Sequence, residues 1–499
     1  MTLPINIVAR LKENNAFFSL QATASFPCLY PFVSFFTTIM TPESTSNVRE
    51  EIPLSKVEKA SQSQKRSTVK QTVEPQRHIV TRPTPLERFL KMLGINSPIQ
   101  KLIWLAILVL TPLSWVLHFA IPGNATVIFV FAFLALIPQS QVLGYYTEQL
   151  SLHSGEKVAA LLNASLGNAV ELIVAIIALT KCELEVTQAS LIGSVVSNIL
   201  LVTGIAMFVG GIKNGEQVFS GSDAQLQSAL LAVAFSSVVF PTIFYIIETE
   251  KVPGNTGMVV DKRQEHLLAL SRGTALVLIF IYGAYLWYNM GAAKKTADVE
   301  EGLKGQEEEQ EEAIVNPKVA IGQLIFVTAL IGVTAEFLVS SINGLVENSP
   351  LSKQFVSLIL LPIAGNAAEH ASAIMLAWKN KMRMSLEIAI GSSIQISIFV
   401  LPLMVIISWI MGKPLTLYFD LLQTIVFVVT VVIVHYIVQD GKSVWIEGVI
   451  LCGQSQSSSF QLTPLSWRCA NRPLALYVIL CVAFQVYPGS DAAAAINSC

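Results

Sequence analysis

From Lys101 to Val438 the sequence is dominated by long apolar runs, and these restrict the fold more than any other feature. A helix needs about 20 mostly apolar residues to cross the hydrocarbon core of a bilayer. Ten segments meet that length: 101–120, 123–146, 157–180, 187–211, 226–246, 267–290, 319–344, 354–378, 385–411 and 416–438. Open strand edges leave peptide groups unsatisfied in lipid, so the segments predict an all-α polytopic membrane protein. Only 13% of the residues are charged and 53% are hydrophobic, against roughly a quarter charged in soluble chains. The formal net charge of -2 gives no footing for a nucleic-acid partner; the partner implied is the lipid bilayer.

Two stretches stand apart from the spans. Residues 41–85 are rich in Ser, Thr, Lys, Glu and Pro, a composition that buries too little apolar surface to fold alone. Residues 1–100 therefore read as a disordered N-terminal tail. Between the sixth and seventh spans, 291–318 carries Asp298-Val299-Glu300-Glu301 and the run Glu307 to Glu312, an acidic linker that stays in water. Arg82, Arg88, Lys91 and Lys101 precede the first span, which places the tail on the cytoplasmic side by the positive-inside rule. Counting crossings puts Lys379, Lys381, Arg383 and the acidic linker on that side too, and Asp261-Lys262-Arg263 opposite.

The chain repeats itself. Leu166-Gly167-Asn168-Ala169-Val170-Glu171 resembles Ala364-Gly365-Asn366-Ala367-Ala368-Glu369. Gly193-Ser194-Val195-Val196-Ser197-Asn198 follows the first, and Gly391-Ser392-Ser393-Ile394-Gln395 follows the second. Gly167 and Gly193 are 26 positions apart, as are Gly365 and Gly391. Shared spacing between paired motifs marks a duplication. Five helices per repeat, an odd count, set the two copies in opposite senses across the membrane.

Glutamates inside apolar spans are costly, ~3 kcal/mol each even on a lenient insertion scale, so Glu171 and Glu369 are candidates for function. Asn and Glu three apart share a helix face, which pairs Asn168 with Glu171 and Asn366 with Glu369. The glycines before them let the helix loosen, and interrupted helices between inverted repeats are where coupling ions bind. Ser194, Ser392 and Gln395 add hydroxyl and amide oxygens. Calcium takes about 6–8 such oxygens in flexible geometry; manganese accepts the same donors. The six cysteines form no C-x-x-C pair, and His370 and His435 lack a partner pattern for a metallohydrolase or a nucleophile with its base. That disfavours an enzyme, and no cofactor is implied beyond the transported ions.

At these motifs the chain resembles the CAX family of calcium/proton antiporters, its fungal vacuolar members in particular. The resemblance rests on 167–179, 361–382 and 388–402, with support from 270–274 and 440–443, and spans about 85–451. It implies about 11 transmembrane helices, one leading helix plus two inverted five-helix repeats, in a leading helix and first repeat over 101–290 and a second repeat over 319–488. It implies exchange of cytosolic Ca2+ for lumenal H+ across the vacuolar membrane. By it Glu171 and Glu369 match the essential acids, with Asn168, Asn366, Ser194, Ser392, Gln395 and His370 around them. A sodium-driven exchanger shares the fold and is separated by its driving ion. His370 lies ~100° around the helix from Glu369, where it lines the approach, relays protons or simply accepts a hydrogen bond. Glu336, inside the seventh span, reads as a further buried acid along the pathway.

The last span departs from this pattern. It begins at Trp445-Ile446-Glu447 and gives way at 452–473 to a Gln/Ser run with Pro464, Trp467, Arg468 and Arg472; apolar character resumes at Leu474. Joining 443–451 to 474–487 restores one span. Residues 452–473 are therefore expected to be an insertion, an unspliced intron or a gene-model error; an inactive isoform is the alternative.

Overall fold

The computed structural model describes residues 90–452, apart from 96, 155, 220, 252–256 and 301–312. Residues 1–89, most of the acidic run and the 453–473 part of the expected insertion lie outside the described residues. The last residues expected in the disordered tail are part of the fold instead: Tyr146 Oη donates to Leu93 O at 2.8 Å, and Pro98–Gln100 open the first helix. The remainder is helical, with one two-stranded ribbon.

A leading helix α1 (Pro98–Ala120) starts at a Ser97 capping box with Gln100. The first repeat follows as α2 (Ala125–Leu152), α3 (Glu156–Leu166), α4 (Ala169–Thr180), α5 (Leu184–Val196), α6 (Thr203–Asn214), α7 (Gly221–Lys251) and α8 (Gly257–Glu300). The second is α9 (Pro317–Glu347), α10 (Lys353–Phe355), α11 (Leu361–Gly365), α12 (Ala367–Trp378), α13 (Met382–Gln395), α14 (Leu401–Ile410), α15 (Leu421–Val438) and α16 (Trp445–Cys452). Wider π-helical turns join α5 to α6 (Ser197–Val202), α10 to α11 (Val356–Leu360) and α13 to α14 (Ile396–Val400).

Eight of the resulting spans are long and apolar enough to cross a membrane unbroken, and α10–α11 with α12 forms a ninth, bent by 59°. Its counterpart α3–α4 makes the tenth. α16 stands where the eleventh is expected and is described for eight residues, ~12 Å against a core about 30 Å thick. The chain is thus a leading helix followed by two five-span repeats of opposite sense. The spans read from the sequence all appear, most of them a few residues longer. The sixth differs most: α8 runs on to Glu300, so the first acids of the linker are helical. The tenth starts late, at Leu421, because Asp420 caps it by accepting from the Leu422 N–H at 3.0 Å.

The duplication is visible in local geometry, 198 positions apart. Both half-helices α4 and α12 end in a left-handed non-glycine residue, Cys182 (φ 60) and Asn380 (φ 62). Each end is closed by the same bond, Glu183 N–H to Ala178 O and Lys381 N–H to Leu376 O, both 2.9 Å. Thr187 Oγ1 donates to Ala175 O, and its counterpart Ser385 Oγ donates to Ala373 O. Each half-helix also has its C-terminal carbonyls capped by a lysine of the other repeat. Lys413 Nζ reaches Leu179 O at 2.6 Å, and Lys213 Nζ reaches Trp378 O at 3.0 Å. A cation there complements the helix dipole.

Two apolar clusters flank the glutamate-bearing helices. One is built largely from α2 and α9, the other from α5–α8 and α13–α15. α4 supplies Val170 and Val174 to the first and Ala175 and Leu179 to the second, so it is held between them. α16 lies against α6 at close range: a Cβ on Gly448 would stand 2.5 Å from Gly204 O.

Candidate cation-binding site

Both broken spans break at the repeated Gly-Asn motif. Asn168 (φ -106, ψ 30) and Asn366 (φ -83, ψ 12) occupy N-cap positions, yet neither side chain caps its own helix. Each amide is committed elsewhere, which leaves the chain bent there and puts Glu171 and Glu369 in the first helical turn. Acids are favoured at that end of a helix dipole.

The amides cross between repeats. Asn168 Nδ2 donates to Gln395 Oε1 at 2.8 Å, and Ser392 Oγ lies 2.8 Å from Asn168 Oδ1 and 2.7 Å from Glu369 Oε1. Asn198 Nδ2 donates to Glu369 Oε2 at 2.7 Å, and Asn366 Nδ2 donates to Asn198 Oδ1 at 3.2 Å. Asn366 also approaches the Ser194 carbonyl at 3.5 Å. Asn168, Asn198, Asn366, Glu171 and Ser392 are buried, whereas Glu369 and Gln395 are half-buried. Glu171 reaches the same place from α4: a Cβ added to Gly365 would stand 2.8 Å from its Oε1. Glu171 Oε1 and Asn366 Oδ1 take no hydrogen bond among the described residues, although each is buried and oxygen-rich surroundings adjoin it. Such orphaned acceptors in a buried cluster are uncommon and call for an explanation.

Four expectations change. The asparagines do not pair with the glutamate three residues on, because each sits before its helix rather than on its face. His370 stands outside the network: its backbone follows the helix, and its Nε2 is buried with no hydrogen-bond partner among the described residues. Ser194 meets the network through its carbonyl. Glu336 is no buried pathway acid; it is half-exposed and pairs with Lys181 at 2.5 Å. Asn198 is the residue that sequence reasoning passed over. It lies in the quoted Gly193–Asn198 motif, but its repeat counterpart is Ile396, so matching the copies hid it.

Among the described residues no group of three or more His, Cys, Asp and Glu gathers as a metal centre. The donors are two carboxylates with amide and hydroxyl oxygens, a set suited to a hard cation.

Inverted repeats with interrupted helices meeting at mid-depth are the architecture of secondary transporters. The sequence profile of the sodium/calcium exchanger protein family matches residues 124–291 and 319–454, and the chain belongs to that family. A vacuolar calcium ion transporter of Schizosaccharomyces pombe is 39% identical over 73% of this chain and 80% of its own length. Vacuolar cation/proton exchanger 3 of Oryza sativa subsp. japonica is 38% identical over 70% of this chain and 83% of its own. The crystal structure of the Ca2+/H+ antiporter protein YfkE superposes with a TM-score of 0.59 at 30% identity, covering 78% of this chain and 100% of that one.

Proposed function

We propose that this protein exchanges cytosolic Ca2+ for lumenal H+ across the vacuolar membrane by alternating access, with Glu171 and Glu369 as the shared binding acids. The observation that carries the site is the network itself: one glutamate from each repeat, set among amides that bond across the repeats and a Ser392 hydroxyl that joins Asn168 of the first repeat to Glu369 of its own. The names of the relatives support the ions and the membrane. The basic residues before α1 and after α12 support a cytosolic N-terminus and linker.

The physics is charge balance. Two ionised carboxylates in a low-dielectric interior are costly unless neutralised. One Ca2+ or protons on the same oxygens neutralise them, so a loaded site crosses and an empty one does not. Glu369 is fixed through both oxygens by Ser392 and Asn198, whereas Glu171 Oε1 is unengaged. Glu171 is therefore the acid that first meets the ion, and Asn366 Oδ1 adds a neutral donor. Ca2+ then draws Glu369, Asn168 and Ser392 from their mutual bonds into its own shell. No covalent bond changes, and the reaction is transport.

Vesicles containing the protein should take up calcium when a pH gradient, acid inside, is imposed. A protonophore should stop uptake, and replacing sodium by potassium should leave it unchanged. Uptake that follows a sodium gradient and ignores pH would refute proton coupling.

A further inference from the structure

The two copies of the repeat are not in the same state. On one face of the bundle, the seam between α5 and α10–α11 is closed along its length. At its outer end Lys353 Nζ pairs with Glu183 Oε2 at 2.6 Å, and Asn343 Nδ2 donates to Glu183 Oε1 at 2.7 Å. Gln354 Nε2 donates to Glu185, and Gln423 donates to Gln354. Midway, the backbones touch: a Cβ on Gly193 would stand 2.0 Å from Leu358 O. At the inner end lies the Asn366–Ser194 contact. The duplicated seam, between α13 and α3, differs. Gly391 is the counterpart of Gly193, and a Cβ there would meet nothing within 4 Å. Lys381 and Arg383, the counterparts of Glu183 and Glu185, are exposed.

We propose that the α5/α10–α11 seam is the closed gate of this conformation, locked by Glu183–Lys353, and that Gly391 serves the same close packing when the opposite face closes. This rests on the exchange reading above, which makes the Glu183 face lumenal. Closing by small residues is economical: a glycine lets one helix seat against a neighbouring carbonyl, and its release opens a path beside Ser194. A half-buried ion pair at the rim biases the equilibrium without fixing it, since such pairs contribute modestly.

The test reads gate opening without relying on transport. Ser190 lies on α5 between Glu185 and Ser194. In full-length protein with its other cysteines replaced, Ser190→Cys is exposed to a membrane-impermeant maleimide from the Glu183 face. Lys353→Ala should speed labelling about fivefold, equivalent to ~1 kcal/mol, and the charge swap Glu183→Lys with Lys353→Glu should restore the slow rate. Gly391→Ala should keep or raise thermal stability, because its methyl has room here in a helix interior, and should cut exchange at least about tenfold by blocking the opposite closure. Labelling that ignores Lys353→Ala, or full exchange by Gly391→Ala, would overturn the proposal. Exchange absent from the unmutated protein, with the labelling pattern intact, would fault the transport reading and leave the gate standing.

Discussion

Gly365→Ala separates the binding role of Glu171 from folding. Gly365 is the last residue of α11, and its φ lies outside the left-handed region, so alanine fits the backbone. In a helix that exchange is favourable by roughly 0.5–1 kcal/mol. The cost falls on one group. The new methyl carbon would stand 2.8 Å from Glu171 Oε1 and 3.5 Å from its Cδ. An ordinary contact begins near 3.4 Å, so the carboxylate must retreat by about 0.6 Å. Binding constellations tolerate displacements of only about 0.5 Å. The half-saturating calcium concentration should therefore rise about tenfold, ~1.4 kcal/mol, with thermal stability equal to or above that of the unmutated protein. The assay is initial uptake of radioactive calcium into vesicles under a fixed pH gradient, beside a fluorescence melt in detergent. Shortening the acid as well, in Glu171→Asp with Gly365→Ala, should recover part of the affinity, because the shorter side chain withdraws its oxygens from the methyl. Unchanged calcium affinity in the single variant would refute the placement of Glu171 at the site. A lowered melting point would refute the claim that the glycine serves the carboxylate and not the fold.

Glu171→Gln and Glu369→Gln should each abolish proton-driven uptake with the protein still in the membrane, since an amide can coordinate but cannot neutralise a divalent ion or exchange a proton; normal uptake by either would remove that residue from the site. Asn198→Ala frees Glu369 Oε2 and Asn366 together, and should lower calcium affinity by about three- to tenfold, ~1 kcal/mol in all, the net scale of one intramolecular hydrogen bond; a silent substitution would return Asn198 to packing. Deleting 452–473 should join 443–451 to 474–487 as one span and raise uptake, read in the same vesicles; a transcript encoding 452–473, with lower uptake on deletion, would show the segment to be functional.

Hydropathy and length alone determined the spans and the all-α class, because lipid admits few ways to satisfy a peptide backbone. The matched Gly-Asn-x-x-Glu motifs determined the duplication and named both acids, since a charge in an apolar run is costly enough to stand out. Partners were another matter. Spacing pairs Asn168 with Glu171, whereas the fold carries its amide to Gln395, 227 residues away. Asn198 was invisible to a repeat comparison, because Glu369 finds it from the other copy. Glu336 looked buried in sequence and meets Lys181 at the surface of the bundle, an outcome set by how α9 faces α4. Nor does any motif reveal that Gly193 is packed while Gly391 is open. Sequence records which residues lipid and charge make expensive; which of them touch, and in which of two related conformations, depends on how the two repeats are seated against each other.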